Sequence, residues 1–476
     1  MIRWLLSLTL FAATPALAQV PWTQSDFAAE DFQARHATIY DAIGKDGIAL
    51  VQGMSDSGDM SIFRQTNQFY YLTGVVAPNA YLLLDGNTRS ATLYLQPRDE
   101  GRERSEGMFL AAEDGDLAMR TTGAASVKTV DRLAGDLSRL AQYRAPVPTL
   151  YTPFAPAEIV VSRDTTSAGR AARASDPWDA GDNREGHFRA LLQERFPRFA
   201  IADLSPTLDA MRVVKSDKEI ALIRRATQIA GLGIIEAMRS TRPGVMEYEL
   251  DAVARGIFWL NGAQGEAYAS IIGGGQNAYI GHYWRKGDAL VDGDMLLMDW
   301  APDYRYYTSD VTRMWPVNGT YTPEQRHVAD FILAYRDALN EEVRPGVTSD
   351  EVLDRAAATM RRWLDARPFA NPTIAAAAED SLKFRGHFQH SVGLAVHDVG
   401  RVRGEVLRPG MIFTIDPMLW LHDEKLYFRI EDMILVTEDG FENMSEFVPA
   451  TPDEIEATIA EPGLLQSPMR DRWMAR

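Results

Sequence analysis

The 476-residue chain contains no cysteine. That absence excludes disulfides, thiolate metal sites and a cysteine nucleophile, and it leaves any metal site to Asp, Glu and His. Histidine is scarce too, with eight residues. Basic residues are outnumbered: 49 Lys and Arg face 66 Asp and Glu, a formal net charge of −17. So acidic a balance argues against a nucleic-acid partner and against docking on an anionic membrane. Long apolar runs are missing outside the N-terminus. Residues 1–18, MIRWLLSLTLFAATPALA, hold Arg3, a short apolar core and Ala16-Leu17-Ala18. This is the pattern of a cleavable secretory signal, with export to the periplasm or beyond. The core is too short for a comfortable membrane span, and Pro15 lies near its end, so stable insertion is not expected. No tandem repeat of about 20 to 50 residues occurs, which excludes a solenoid.

What is present fits a soluble globular protein, 46% hydrophobic and 24% charged, and long enough for two domains. The first half predicts a helix over 24–46 and a buried strand at Gly47–Val51. Further strands are expected at Ala80–Leu84 and Ser90–Leu95, joined by a turn at Asp85-Gly86-Asn87. Alternating strands and helices continue to about residue 160, the signature of an α/β domain. Residues 163–186, rich in Ser, Ala, Gly and Asp, read as a mobile surface loop, and 187–199 as a helix. The boundary falls at Leu204-Ser205-Pro206, giving domains of 19–205 and 206–455 and a tail of 456–476. Beyond it, Ser216 and Glu219 form a capping box that opens a long amphipathic helix. Helices are also expected over 246–260, 322–342 and 349–365, with short strands from 268 onward.

The most informative stretch is Met295–Trp315, MLLMDWAPDYRYYTSDVTRMW. An apolar run ends on Asp299, Pro302-Asp303 marks a turn, and Tyr304–Trp315 alternates aromatics with polar residues around Asp310. An antiparallel hairpin with one carboxylate on each arm is expected. A carboxylate ending a buried strand is costly unless it is paired or holds a cation, and two facing carboxylates repel. The alternative is a turn-forming Asp299 with a solvated Asp310. Three later segments carry similar residues: Gly386–Asp398 (GHFQHSVGLAVHD), Pro409–Pro417 (PGMIFTIDP) and Leu426–Asp432 (LYFRIED). Three of the eight histidines, His387, His390 and His397, fall in the first of these. Clustered His, Asp and Glu without Cys suit Mn, Fe, Co or Zn.

These motifs resemble the pita-bread metallopeptidases, and residues 25–455 resemble their aminopeptidase P and Xaa-Pro dipeptidase branch. Asp299 and Asp310, with ten residues between them, match the first ligand pair, with Ser309-Asp310-Val311-Thr312-Arg313 completing the pattern. His390 in HSVGLAVHD and Glu431 in RIED match further ligands. Asp416 stands where relatives carry Glu. FRQTNQFYYLTG (63–74) resembles the N-terminal module shared with creatinase, and Met211–Ile220 resembles the R-x-x-K-S-x-x-E-I start of the catalytic domain. The resemblance implies a creatinase-like α/β N-terminal domain and an α+β pita-bread catalytic domain. It implies a dinuclear centre on Asp299, Asp310, His390, Asp416 and Glu431, with manganese first and zinc, cobalt or iron as alternatives. His282 and His397 match positions that line the substrate pocket, and Arg429 a position beside the ligands. The implied activity removes the N-terminal residue before proline, so proline-containing peptides are the expected partners, with a homodimer or larger homo-oligomer. A strict Xaa-Pro dipeptidase, a metal-free creatinase-like hydrolase and a secreted peptide-binding pseudoenzyme are alternatives, and the retained acidic ligands oppose the second. Departures are Trp300-Ala301 after the first Asp, Gly386, Phe388 and Gln389 around the histidines, Asp416 for Glu, and Trp420 for Tyr.

Overall fold

The structure, a computed structural model, describes residues 23–58, 62–158 and 183–467, with 167–169, 171, 175 and 178 between them. The expected signal segment and most of the 163–186 loop lie outside the described residues. The chain divides into two compact units between Pro148 and Thr149, with Thr66–Gln68 belonging to the second. Leu204-Ser205-Pro206, the expected boundary, therefore lies within the second unit. There Pro206 does not break structure but sits in the first turn of a helix, Ser205–Val213, where its missing N–H costs nothing.

In the first unit the strands β1 (Gly47–Gln52), β2 (Tyr81–Asp85), β3 (Ser90–Leu95) and β4 (Ser126–Thr129) lie in the order β4-β3-β2-β1. The β1–β2 and β2–β3 pairs are antiparallel and β3–β4 is parallel. A helix, Ala29–Ile43, buries Phe32, His36, Ile39, Tyr40 and Ile43 at helical spacing and packs on β1, β2 and the helix Gly115–Thr122. It is shorter than expected at both ends, stopping at Gly44, whose φ of 66° lies in the left-handed region.

The second unit begins with a parallel pair, β5 (Thr149–Thr152) and β6 (Ile201–Asp203). Helix Asp217–Ser240 opens with the expected Ser216/Glu219 capping box. It packs on helix Glu247–Leu260, and a Cβ at Gly233 would stand 2.6 Å from the Phe258 ring, so glycine permits the close approach. Helix Pro452–Ala460, within which the expected tail begins, also packs on it. A second helical pair, Pro323–Glu342 with Ser349–Ala366, matches the expected spans and is followed by an unanticipated helix, Pro372–Ser381. Short strands fill out the unit. They are β7 (Gly265–Glu266), β8 (Ile271–Gly274), β9 (Met295–Asp299), β10 (Pro302–Asp303), β11 (Thr312–Pro316) and β12 (Phe388–Ser391). The rest are β13 (Ile412–Ile415), β14 (Met418–Leu421), β15 (Leu426–Arg429), β16 (Asp432–Val436) and β17 (Phe441–Asn443). They form sheets β11-β9-β8 and β12-β13-β16-β17, the two-stranded pair β10–β7 and the hairpin β14–β15.

The β9–β11 pair is antiparallel, as the hairpin reading expects, with Asp299 opposite Thr312. Tyr304–Asp310, however, is not strand. Tyr304 and Tyr307 exchange backbone hydrogen bonds across a tight reversal in which Arg305 and Tyr306 have φ of 52° and 74°. The Asp303 carboxylate accepts the Tyr306 N–H at 3.0 Å, so local turn chemistry overrides the aromatic alternation.

His36 offers a test of the first unit. Burial lowers its pKa from 6.5 to about 4, and Nε2 donates to the Leu72 carbonyl at 2.8 Å. The unfolded chain takes up the proton near 6.5 and the folded one only near 4. Stability is therefore complete above the first value and lost progressively toward the second, by up to about 3 kcal/mol. In urea unfolding of the metal-free protein across this range, His36→Gln, whose amide keeps the donor without titrating, should flatten the dependence. An unchanged slope would contradict the assignment.

Candidate metal centre

Every acidic residue singled out by the sequence sits at a strand end. Asp299 closes β9, Asp310 lies two residues before β11, Asp416 lies between β13 and β14, and Glu431 between β15 and β16. β9 and β13 lead into Asp299 and Asp416 as buried apolar runs, while Asp310 and Glu431 stand just ahead of β11 and β16, so each carboxylate lies where a ladder stops or starts and the backbone can aim it inward. A bridge between Thr312 and Glu431 joins the two sheet systems at this point, and the Thr312 hydroxyl donates to Glu431 Oε2 at 2.9 Å. His390 lies in β12, where the register with β13 shifts between Phe388 and Ser391. Irregularities of this kind re-aim a side chain.

The four carboxylates are almost fully buried, Asp299 and Asp310 at 4% exposure and Asp416 and Glu431 at 1%. One guanidinium stands among them. Arg429 donates from Nη1 to Asp299 Oδ2 at 3.1 Å and from Nε to Asp416 Oδ1 at 3.1 Å, and Nη2 meets Glu431. Met418 opposite Arg429 in the β14–β15 ladder fixes the depth from which it reaches. Tyr268 was not anticipated. Its hydroxyl lies 2.6 Å from both Asp299 Oδ1 and Asp310 Oδ1, though it has one proton to give. Nothing in its sequence setting distinguishes it from a core tyrosine.

The electrostatics follow from crowding. Burial pushes the Asp310 carboxyl well above its ordinary range, and the Glu431 and Asp299 charges add to it. Burial likewise raises Asp416, which Arg429 opposes. With all four ionised and Arg429 as counterion, the pocket carries three uncompensated negative charges. His390 sharpens the point. Its Nδ1 faces the Ser391 carbonyl at 3.3 Å, while Nε2 lies 3.4 Å from Asp310 Oδ2 and 4.0 Å from Glu431 Oε1. Burial and the neighbouring His397 hold its pKa well below 6.5. A neutral imidazole protonated at Nδ1 then turns its Nε2 lone pair on carboxylate oxygens, an arrangement that calls for a cation between them. Two sets of ligand atoms lie mutually within 4.8 Å: Asp310 with His390 and His397, and Asp299 with Asp310 and Glu431. The donors present thus fit hard or borderline divalent ions.

The expected residues do not all take equal places. Asp299, Asp310, His390 and Glu431 converge. Asp416 lies outside both sets and meets the cluster through Arg429. His397, expected to line the pocket, lies tilted against His390 with ring centroids 3.9 Å apart and joins the first set. His282 is exposed on the loop after Gly275–Tyr279, and among the described residues no hydrogen bond or ion pair joins it to the cluster. His387 is buried and structural, bonded to the Ser381 carbonyl and the Met418 N–H, and His422 meets the Tyr279 hydroxyl at the surface.

Residues 221–438 match the metallopeptidase family M24, and residues 32–151 match the N-terminal domain of aminopeptidase P. The chain carries an M24 metallopeptidase domain and an aminopeptidase P N-terminal domain. The M24 match takes in every member of the acidic cluster. The chain is 29% identical to the Xaa-Pro aminopeptidase of Escherichia coli (strain K12) over 457 residues, 91% of this chain and 98% of that one. Among solved structures it resembles proline aminopeptidase P II from Yersinia pestis, with a TM-score of 0.73 at 29% identity, covering 91% and 100% of the two chains. It also resembles zinc-substituted E. coli aminopeptidase P in complex with product, with a TM-score of 0.72 at 27% identity, covering 91% and 99%. The M24 domain is therefore metal-dependent in kind, and its pocket has the donors for it.

Arg429→Met removes the one cation among four buried carboxylates. The metal-free variant should lose about 3–5 kcal/mol of stability, and added Mn(II) should restore most of it. Chemical unfolding with chelator and with Mn(II) measures both. Equal stability of variant and wild type in chelator would show that Arg429 is not the counterion.

Proposed function

We propose that this chain is an exported, metal-dependent Xaa-Pro aminopeptidase that uses two divalent ions, manganese first. The single observation that carries the reading is the His390 lone pair facing Asp310 and Glu431 at 3.4 and 4.0 Å within a pocket of four buried carboxylates. Asp310 belongs to both sets of ligand-type atoms and would bridge them, with Asp299 and Glu431 on one side and His390 on the other, where His397 stands beside it. Ions bound there supply a Lewis acid and a water acidic enough to ionise at neutral pH. The side chains do the rest. Arg429 and Tyr268 hold the carboxylates in register. His397 and His282 would hydrogen-bond the scissile carbonyl and its developing charge. Asp416, one methylene shorter than the family's Glu, would complete the donor set with Arg429 beside it.

Three outcomes test this. Peptides of the form Xaa-Pro-Yaa should release a free N-terminal residue, and chelator or Asp310→Ala should abolish turnover. Cleavage confined to Xaa-Pro dipeptides would favour a dipeptidase, and full activity in metal-stripped protein would contradict the proposal. Asp416→Glu should lower activity, because the longer arm crowds the Arg429 guanidinium, which now meets both Asp416 oxygens at 3.1 Å, donating from Nε to Oδ1 and pairing through Nη2 with Oδ2. Tighter metal binding with faster turnover would show that the shorter residue is a defect. N-terminal sequencing of exported protein should begin at Gln19, and a chain still starting at Met1 would contradict cleavage.

A further inference from the structure

The R-x-x-K-S-x-x-E-I segment, Arg212 to Ile220, has a role that the acidic cluster does not explain. Its Ser216 and Glu219 cap a helix, and Glu219 also accepts the Tyr307 hydroxyl at 3.0 Å in the loop that leads to Asp310. Arg212 and Lys215 do something else. Arg212 donates to both oxygens of Glu158 at 3.3 and 3.2 Å and pairs with Asp398. Lys215 Nζ lies 3.8 Å from the other Asp398 oxygen, while its shortest contact, at 2.9 Å, is the neutral hydroxyl of Ser391. All four charged side chains are at most 2% exposed. Two cations balance two anions, so this group has no demand for a metal.

Buried ion pairs of this kind are poor sources of stability, since desolvation offsets the attraction. A lysine used only for stability would sit on its carboxylate rather than on a hydroxyl. The position of that hydroxyl gives the reason. Ser391 directly follows His390, and Asp398 directly follows His397. The Asp398 N–H donates to the Ser391 carbonyl at 2.8 Å, closing the loop between them. Gly393 inside the loop leaves room for the Asp398 carboxylate, which a Cβ there would strike, and its carbonyl accepts the Thr308 N–H at 2.9 Å, two residues before Asp310.

We infer that Lys215 is a positioning residue that ties Ser391 to Asp398 and thereby fixes the His390 and His397 rings, 3.9 Å apart, against Asp310. Arg212 and Glu158 hold Asp398 in place for it. The inference rests on the reading of His390 as a metal ligand. It extends the site to residues before the matched M24 segment, which starts at 221.

Two variants of the full chain test it, Lys215→Met and Ser391→Ala, the second leaving all four charges in place. Titration with Mn(II) alone should show affinity about 10- to 100-fold weaker in each, the usual loss when a ligand's support is removed. The visible spectrum of the Co(II)-loaded protein should change in both. KM for an Xaa-Pro-Yaa peptide should hold while kcat falls at limiting metal. Wild-type affinity and an unchanged Co(II) spectrum in both variants would overturn the inference. So would an affinity loss that merely tracks a lower unfolding midpoint of the metal-free variants. A wild type that takes up no metal would overturn the metal reading instead. The clamp would then be judged on the histidine ring resonances of metal-free protein, which should shift in both variants and would contradict it by staying fixed.

Discussion

Four carboxylates in one water-poor pocket repel each other, and each costs several kcal/mol to bury without a partner. Arg429 answers part of that demand and Tyr268 another part, yet one guanidinium and one phenolic proton cannot neutralise Asp299, Asp310, Asp416 and Glu431 together. The unmet negative charge is the constraint on which the rest depends. It explains why a histidine is held neutral with its lone pair toward the acids, and why the donors are oxygen and nitrogen alone in a chain without cysteine.

The fold serves that pocket by ending strands in it. β9 and β13 stop on or just before Asp299 and Asp416, β11 and β16 start just after Asp310 and Glu431, and helices pack on the short sheets that could not stand alone. Directly behind Glu431, Asp432 is paired with Arg313 and Arg336. Burial would raise its pKa, but the two guanidinium groups outweigh that and bring it to about 2. Neighbouring acids one residue apart thus face opposite ways, one into a neutralised core pair and one into the pocket. Alternation of side chains at the end of a strand is sufficient to separate them.

Much of this was legible in the sequence because it is local. The capping box at Ser216 and Glu219, the antiparallel return to β11 and the five acidic or histidine positions depend on short patterns. Where reading failed, a longer-range or subtler effect decided. Tyr304–Asp310 alternates like a strand, but the Asp303 side chain captures the Tyr306 N–H and turns the chain. Pro206 looks like a break and is a helix start. Tyr268, 31 and 42 residues from its two carboxylate partners, has no local signal at all. Asp416 stood out as a departure by type, but its dependence on Arg429 appears only when β13 and β15 are brought together.

Divalent cations would offset the uncompensated charge of this pocket. Metal content after equilibrium dialysis against Mn(II), measured on the same protein whose peptide turnover is followed, tests it most directly. The account predicts two ions per chain, with activity rising as they bind and vanishing when they are removed. Full turnover at zero metal, or a chain that binds none at millimolar Mn(II), would contradict it.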